Sequence, residues 1–153
     1  ILPHAIIIDA RRNPLDTGIS IFKQHFASGH DYSYNLSHIG HYYNGYLKIM
    51  DHWDTTLPNK VLRVQYEELV ANLEQNVVRI LNHCGLNFEK ECLNFYKNKR
   101  AVNTASSEQV RQPIHTNAVS YWRNFEEHIR PLVEVLGTKT LSRFDLHFSR
   151  KSN

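Results

Sequence analysis

The run Ala5-Ile6-Ile7-Ile8, followed at once by Asp9-Ala10-Arg11-Arg12-Asn13-Pro14, limits what this chain can fold into more than any other segment. A continuous apolar run of this length reads as a strand buried on both faces, the pattern of a parallel sheet. The strand is expected from Ala5 to Ala10. Asn13-Pro14 then opens a helix, with Asn as N-cap and Pro at the first helical position. Asp16 falls in the first turn, where the helix dipole favours a carboxylate. Leu15, Ile19 and Phe22 continue at helical spacing, which completes a strand, tight turn, helix unit. The chain enters this strand almost directly after Ile1-Leu2-Pro3, so a preceding segment is expected.

The polar segment Gly29 to Asn35 reads as a loop. Leu36 to Trp53 reads as a helix in which Ile39, Tyr42, Tyr43, Tyr46, Ile49, Met50 and Trp53 recur at spacings of three and four. Such a stripe is expected to be core, with a partner-binding face as the alternative. Leu57-Pro58-Asn59 stops it. Val61 to Val64 is a second short strand, which delivers Gln65-Tyr66-Glu67 at its carboxyl end. Asn72 is expected to cap a helix with the face Leu73, Val77, Ile80 and Leu81, and Gly85 to close it. Glu89 to Lys97 reads as another helix. Residues 98–117 form the longest irregular stretch, and loops of that length in compact domains are more often functional or disordered than idle. Ala118 to Arg123 and Phe125 to Leu136 read as helical, ending at Gly137. The division expected is a domain over 1–137 and a frayed basic tail over 138–153. Strand–helix alternation predicts an α/β fold with a parallel sheet flanked by helices. Only two strands are clear, too few for a well-covered parallel sheet, so the domain is expected to be incomplete.

Composition narrows the function classes. With 153 residues, 41% of them hydrophobic, the chain carries enough apolar material for one core. Eighteen Lys and Arg against fifteen Asp and Glu leave a net charge of +3, too small and dispersed to predict nucleic-acid binding. No apolar run approaches the roughly 18 residues of a membrane span. A signal-peptide pattern is likewise not found. Cys84 and Cys92 lie in helical segments without CxxC spacing and are expected to be buried thiols. His38 and His41 share a helix face, but no acidic or Cys ligand joins them at metal-binding spacing, so no metal site is predicted. No nucleophile–base pair and no Walker-type glycine loop can be read, and no catalytic residue is assigned.

Three segments suit an anionic, ring-bearing ligand. In open parallel sheets, ligands bind beyond the carboxyl ends of strands, where Arg12 stands just before a helix N-terminus. Backbone N–H groups at such a terminus favour a phosphate, and Arg adds a planar donor fork. Ser20, two turns along, can add a hydroxyl; the alternative is that Arg12 pairs with a local carboxylate such as Asp16. Tyr66, at the end of the second strand, can stack on a flat ring or be a half-buried core residue. The loop Ser106, Ser107, Gln109, Val110, Arg111, Gln112 and Pro113 offers hydroxyls, amides and a guanidinium for phosphate or ribose, or is a solvated surface loop.

In order and spacing these segments resemble the sulfotransferases that use 3'-phosphoadenosine 5'-phosphosulfate (PAPS), and in particular the bacterial and tyrosylprotein members. Arg12-Asn13 with Ser20 eight residues on, Tyr66-Glu67 at a later strand end, and the 106–113 loop followed by Ala118-Val119-Ser120-Tyr121-Trp122 carry the likeness. The resemblance implies a P-loop NTPase-like fold. It implies that Arg12 and Ser20 hold the 3'-phosphate, that Tyr66 contacts the adenine, and that residues 106–113 with the Trp cover the cofactor. The tyrosylprotein members carry a further Arg where this chain has Gln24, and a Lys where it has Tyr121; Arg111 and Arg123 are candidates for the charge. The family's opening phosphosulfate loop and its general base have no counterpart here, which implies an N-terminally truncated domain. The expected function is sulfonate transfer from PAPS to a hydroxyl or amine acceptor, leaving adenosine 3',5'-bisphosphate, in a domain that is inactive by itself and tends to self-associate. For a bacterial protein the compartment implied is the cytoplasm. The alternatives are a nucleotide-binding or interaction module without transfer activity, and a P-loop kinase fragment.

Overall fold

A computed structural model describes residues 4–26, 28–102 and 107–146. The chain forms two compact units, one from Ile1–Arg11 and Asn59–Asn117, the other from Arg12–Pro58 and Ala118–Asn153. The class is mixed α/β, with one small parallel sheet among the described residues.

The first unit holds that sheet. β1 (Ile7–Arg11) and β2 (Val61–Gln65) pair in parallel, with Ile7 opposite Val61 and Arg11 opposite Gln65. The expectation of a buried apolar strand is corrected: Ile6, Ile7 and Ile8 are 40–52% exposed, while Asp9 and Arg11 are buried. An ion cluster explains the inversion. Arg11 Nη2 lies 2.7 Å from Asp9 Oδ2, and Arg63 Nε approaches the same oxygen at 3.6 Å. Two strands cannot enclose both faces of an apolar run, so the isoleucines stay accessible.

α3 (Tyr66–Ala71) follows β2 without a break, and α4 (Leu73–His83) follows α3. Asn72 occupies the cap position, but its side chain makes no capping bond. Instead the Asn76 amide donates to the carbonyls of Glu68 and Asn72, both at 3.0 Å, and binds the two helices together. Gly85 closes α4 as expected. Its φ of +68° is open to glycine, its N–H donates to the Asn82 carbonyl, and Leu86 N–H donates to that of Leu81. The predicted helix after Glu89 is a 3-10 segment, Lys90–Lys97, broken at Asn94. Cys84 and Cys92 are free and partly accessible, not buried.

The second unit contains the core. α1 (Pro14–Lys23), α2 (Leu36–Thr56) and α5 (Arg130–Ser142) gather Leu15, Ile19, Ile39, Tyr43, Leu47, Leu132 and Leu136 with Trp122. Gly18 and Gly40 permit the approach. A Cβ on Gly18 would collide with Leu132, and one on Gly40 would stand 2.9 Å from Val135 Cγ1. Of the seven stripe residues on α2, only Ile39 and Tyr43 are buried, joined by Leu47 from outside the stripe. Ile39, Tyr43 and Leu47 face the core, whereas Tyr42, Ile49 and Trp53 lie about 100° round the helix and are exposed. Tyr42 stacks instead on Tyr32, with ring centroids 4.2 Å apart.

The predicted helix from Phe125 begins later, at Arg130. Pro131 accounts for this, because proline sits naturally in the first turn and not further in. Residues Tyr121–Phe125 make a separate 3-10 turn. α5 breaks at Gly137 (φ 72°), as expected, yet the chain does not fray there. Leu141 is buried, Thr140 Oγ1 donates to Asn44 Oδ1 at 2.7 Å, and Arg143 grips Asp51 with both terminal nitrogens at 2.7 and 2.9 Å. The Asn44 amide in turn donates to the Val135 carbonyl at 2.8 Å, next to the break.

Candidate functional site

β1 stops at Arg11, and two residues later Asn13 caps α1: its Oδ1 accepts from Leu15 N at 2.8 Å and Asp16 N at 3.4 Å. Between them stands Arg12, half-buried. Its Nη2 donates to the Ala118 carbonyl at 2.5 Å, and its own carbonyl accepts from Tyr43 Oη at 2.6 Å. The strand-end arginine is therefore fixed from both its backbone and its side chain.

Asp16 is 1% exposed and does more than complement a helix dipole. Its two oxygens accept from Ser120 N at 2.9 Å and Trp122 N at 2.8 Å. These bonds support Ser120 in the left-handed region (φ 58°, ψ 21°), which is unfavourable for a residue with a Cβ. At the last residue of α1, Lys23 Nζ donates to Tyr121 Oη at 2.8 Å and lies 4.8 Å from that ring's centroid. Residues 118–122 thus run beside α1, touched in turn by Arg12, Asp16 and Lys23.

Ser20 is exposed on α1. Asp16, Ser20 and Lys23 are four and three residues apart, which puts them on one helix face. Arg12 and Ser20 both lie in the second unit, Arg12 before the start of α1 and Ser20 two turns along it. Trp122 is a core residue rather than an open ring platform, with the Arg123 guanidinium 4.8 Å from its ring centroid.

The other expected residues lie in the first unit. Tyr66 is the first residue of α3, half-buried. Ser106 lies outside the described residues. Ser107 is half-buried, Gln109–Arg111 form a single 3-10 turn with Val110 partly covered, and Gln112 and Pro113 are exposed. Arg111 donates to the carbonyls of Asn98 and, at 2.6 Å, Arg100, so its guanidinium ties the two ends of the loop. Sequence reasoning missed the tertiary role of Asp16 and the Lys23–Tyr121 pair. The helical phase of Asp16, Ser20 and Lys23 was the available signal.

A family model described as "Sulfotransferase family" matches residues 1–90, a span that includes Arg12, Ser20 and Tyr66 but not the 106–113 loop. An uncharacterized protein of Aquifex aeolicus (strain VF5) is 36% identical over 137 residues, covering 88% of this chain. The chain spans 18% of that relative's length.

Proposed function

The chain belongs to the sulfotransferase family, and from that premise we propose that it is the nucleotide-binding part of an enzyme that moves a sulfonate from PAPS to a hydroxyl or amine acceptor. Arg12 and Ser20 hold the 3'-phosphate, Tyr66 contacts the adenine, and residues 106–113 cover the cofactor. The observation that carries the reading is the register of the sheet. β1 and β2 run parallel and end side by side at Arg11 and Gln65. Arg12 and Tyr66 are the next residues in the sequence after these two carboxyl ends, the ends beyond which α/β folds bind nucleotides.

The donor set fits the ligand. A guanidinium fork and a helix hydroxyl both suit a phosphate dianion. PAPS, when bound, supplies the activated sulfonate, and transfer leaves adenosine 3',5'-bisphosphate. The residues assigned here bind and orient the nucleotide. Transfer rests on positioning and charge stabilisation, as in phosphoryl transfer.

The test is calorimetric titration of the intact protein with adenosine 3',5'-bisphosphate, adenosine 5'-phosphate and ADP. The bisphosphate should bind tightest, whereas a kinase fragment would favour ADP. Arg12→Ala should weaken the bisphosphate by about 1.5–3 kcal/mol, the range of a charged hydrogen bond. It should weaken adenosine 5'-phosphate far less. Equal losses for both would give Arg12 a folding role only.

A further inference from the structure

We infer that Lys23 and Tyr121 complete the anion site of Arg12 and Ser20, as a cation–hydroxyl pair for a phosphate monoester on the nucleotide; this rests on the reading of Arg12 and Ser20 given above. The argument starts from helical phase. Asp16, Ser20 and Lys23 form one stripe along α1. Both ends of the stripe are anchored to one segment of chain, Asp16 to the backbone of Ser120 and Trp122, and Lys23 to the Tyr121 hydroxyl. Ser20 stands between those anchors on the same helix face. At the start of the helix, Arg12 reaches the seam through the Ala118 carbonyl. A guanidinium, a hydroxyl and an ammonium are thus strung along one edge of one helix.

Lys23 is exposed, yet it is held in place. Its ammonium bonds Tyr121 Oη at 2.8 Å and lies 4.8 Å and 5.5 Å from the ring centroids of Tyr121 and Phe125. A surface lysine ordinarily loses side-chain entropy when it grips a ligand, and these contacts reduce that loss. The valences also suit an anion. An ammonium has three N–H donors, of which the tyrosine takes one. The tyrosine oxygen accepts from Lys23, which leaves its O–H to donate outward.

The opposing charge in the seam is the Asp16 carboxylate. It is buried, and each of its oxygens is occupied by a backbone N–H. Arg12 and Lys23 lie on either side of it, and Arg123 adds a further cation over Trp122.

The experiment compares adenosine 3',5'-bisphosphate with adenosine 5'-phosphate by calorimetry on the intact protein, with thermal melts run on each variant. Lys23→Gln should lower affinity for the bisphosphate about tenfold, the effect of losing one charge-assisted hydrogen bond. Tyr121→Phe, which keeps the ring, should lower it about threefold, as expected for a neutral hydroxyl donor. Lys23→Arg should retain most of the affinity, and adenosine 5'-phosphate should be nearly indifferent to all three. If Arg12→Ala abolishes the preference for the bisphosphate while Lys23→Gln and Tyr121→Phe bind both ligands like the parent, the inference is overturned and the family reading stands. If these two variants lose affinity for both ligands in parallel with a lowered melting temperature, the pair is a packing contact and the inference also falls. If the parent protein shows no preference for the bisphosphate, the nucleotide reading itself fails and takes this inference with it.

Discussion

Asp16 concentrates the largest number of consequences in one side chain. It is buried, sits in the first turn of α1, and satisfies two backbone N–H groups of a segment 104 and 106 residues away. Asn in its place would keep one acceptor and turn a second N–H donor toward a backbone donor. Asp16→Asn should therefore destabilise the fold by about 1.5–3 kcal/mol, the scale of a lost charged hydrogen bond. Urea denaturation followed by tryptophan emission measures it; an unchanged midpoint would mean the bonds contribute nothing. A second residue-scale expectation concerns Tyr32. Burial, and then its neighbour Tyr42, hold its phenol above the ordinary tyrosine range. The folded state thus keeps the proton that the unfolded state releases first. The contribution is intact below about pH 10, the pKa of a free tyrosine, and is lost as pH rises through the folded value. Tyr42→Phe should bring the Tyr32 titration, read by phenolate absorbance, back toward that of a free tyrosine, and no movement would exclude the coupling.

Elements were legible in the sequence where their ends are built from local chemistry. Asn13-Pro14 and Gly85 mark helix ends by hydrogen bonds and φ values that neighbours within a few residues decide, and both stand where the sequence puts them. β1 and β2 are shifted from expectation by no more than two residues. What was not legible depends on distant partners. Nothing in α2 itself tells which of its two apolar stripes meets α5. Neither does the tail reveal that Thr140 and Arg143 will find Asn44 and Asp51. The candidate site divides in the same way: Arg12 and Ser20 follow from strand-end and helix logic, while Asp16 and Lys23 acquire partners only when residues 118–122 arrive. The α2–α5 contact gives a prediction at this scale. Gly40 faces Val135, whose Cβ would lie 3.0 Å from an added methyl. Gly40→Ala gains helix propensity but overpacks this seam, and should cost about 1–3 kcal/mol net. Thermal unfolding checks it, and a stabilised variant would show that the two helices can part without penalty.

At the scale of the molecule, the chain interleaves its two units, and their cores are unequal. Among the described residues, the buried hydrophobic side chains belong to the second unit except for Val64. The residues proposed for the nucleotide are binding groups, and none of them is assigned a proton to move. The isolated chain is therefore expected to bind adenosine 3',5'-bisphosphate and to give no sulfonate transfer from PAPS to simple phenol or amine acceptors; sustained turnover in that assay would show that catalytic groups have been overlooked. The interleaving also bears on biosynthesis. Leu15, Ile19, Ile39 and Tyr43 leave the ribosome before their partners Trp122, Leu132 and Leu136, which come at least seventy-nine positions after the last of them. Until those residues emerge, the nascent chain carries half a hydrophobic interior with nothing to close it, a state in which apolar surface invites chaperones or aggregation.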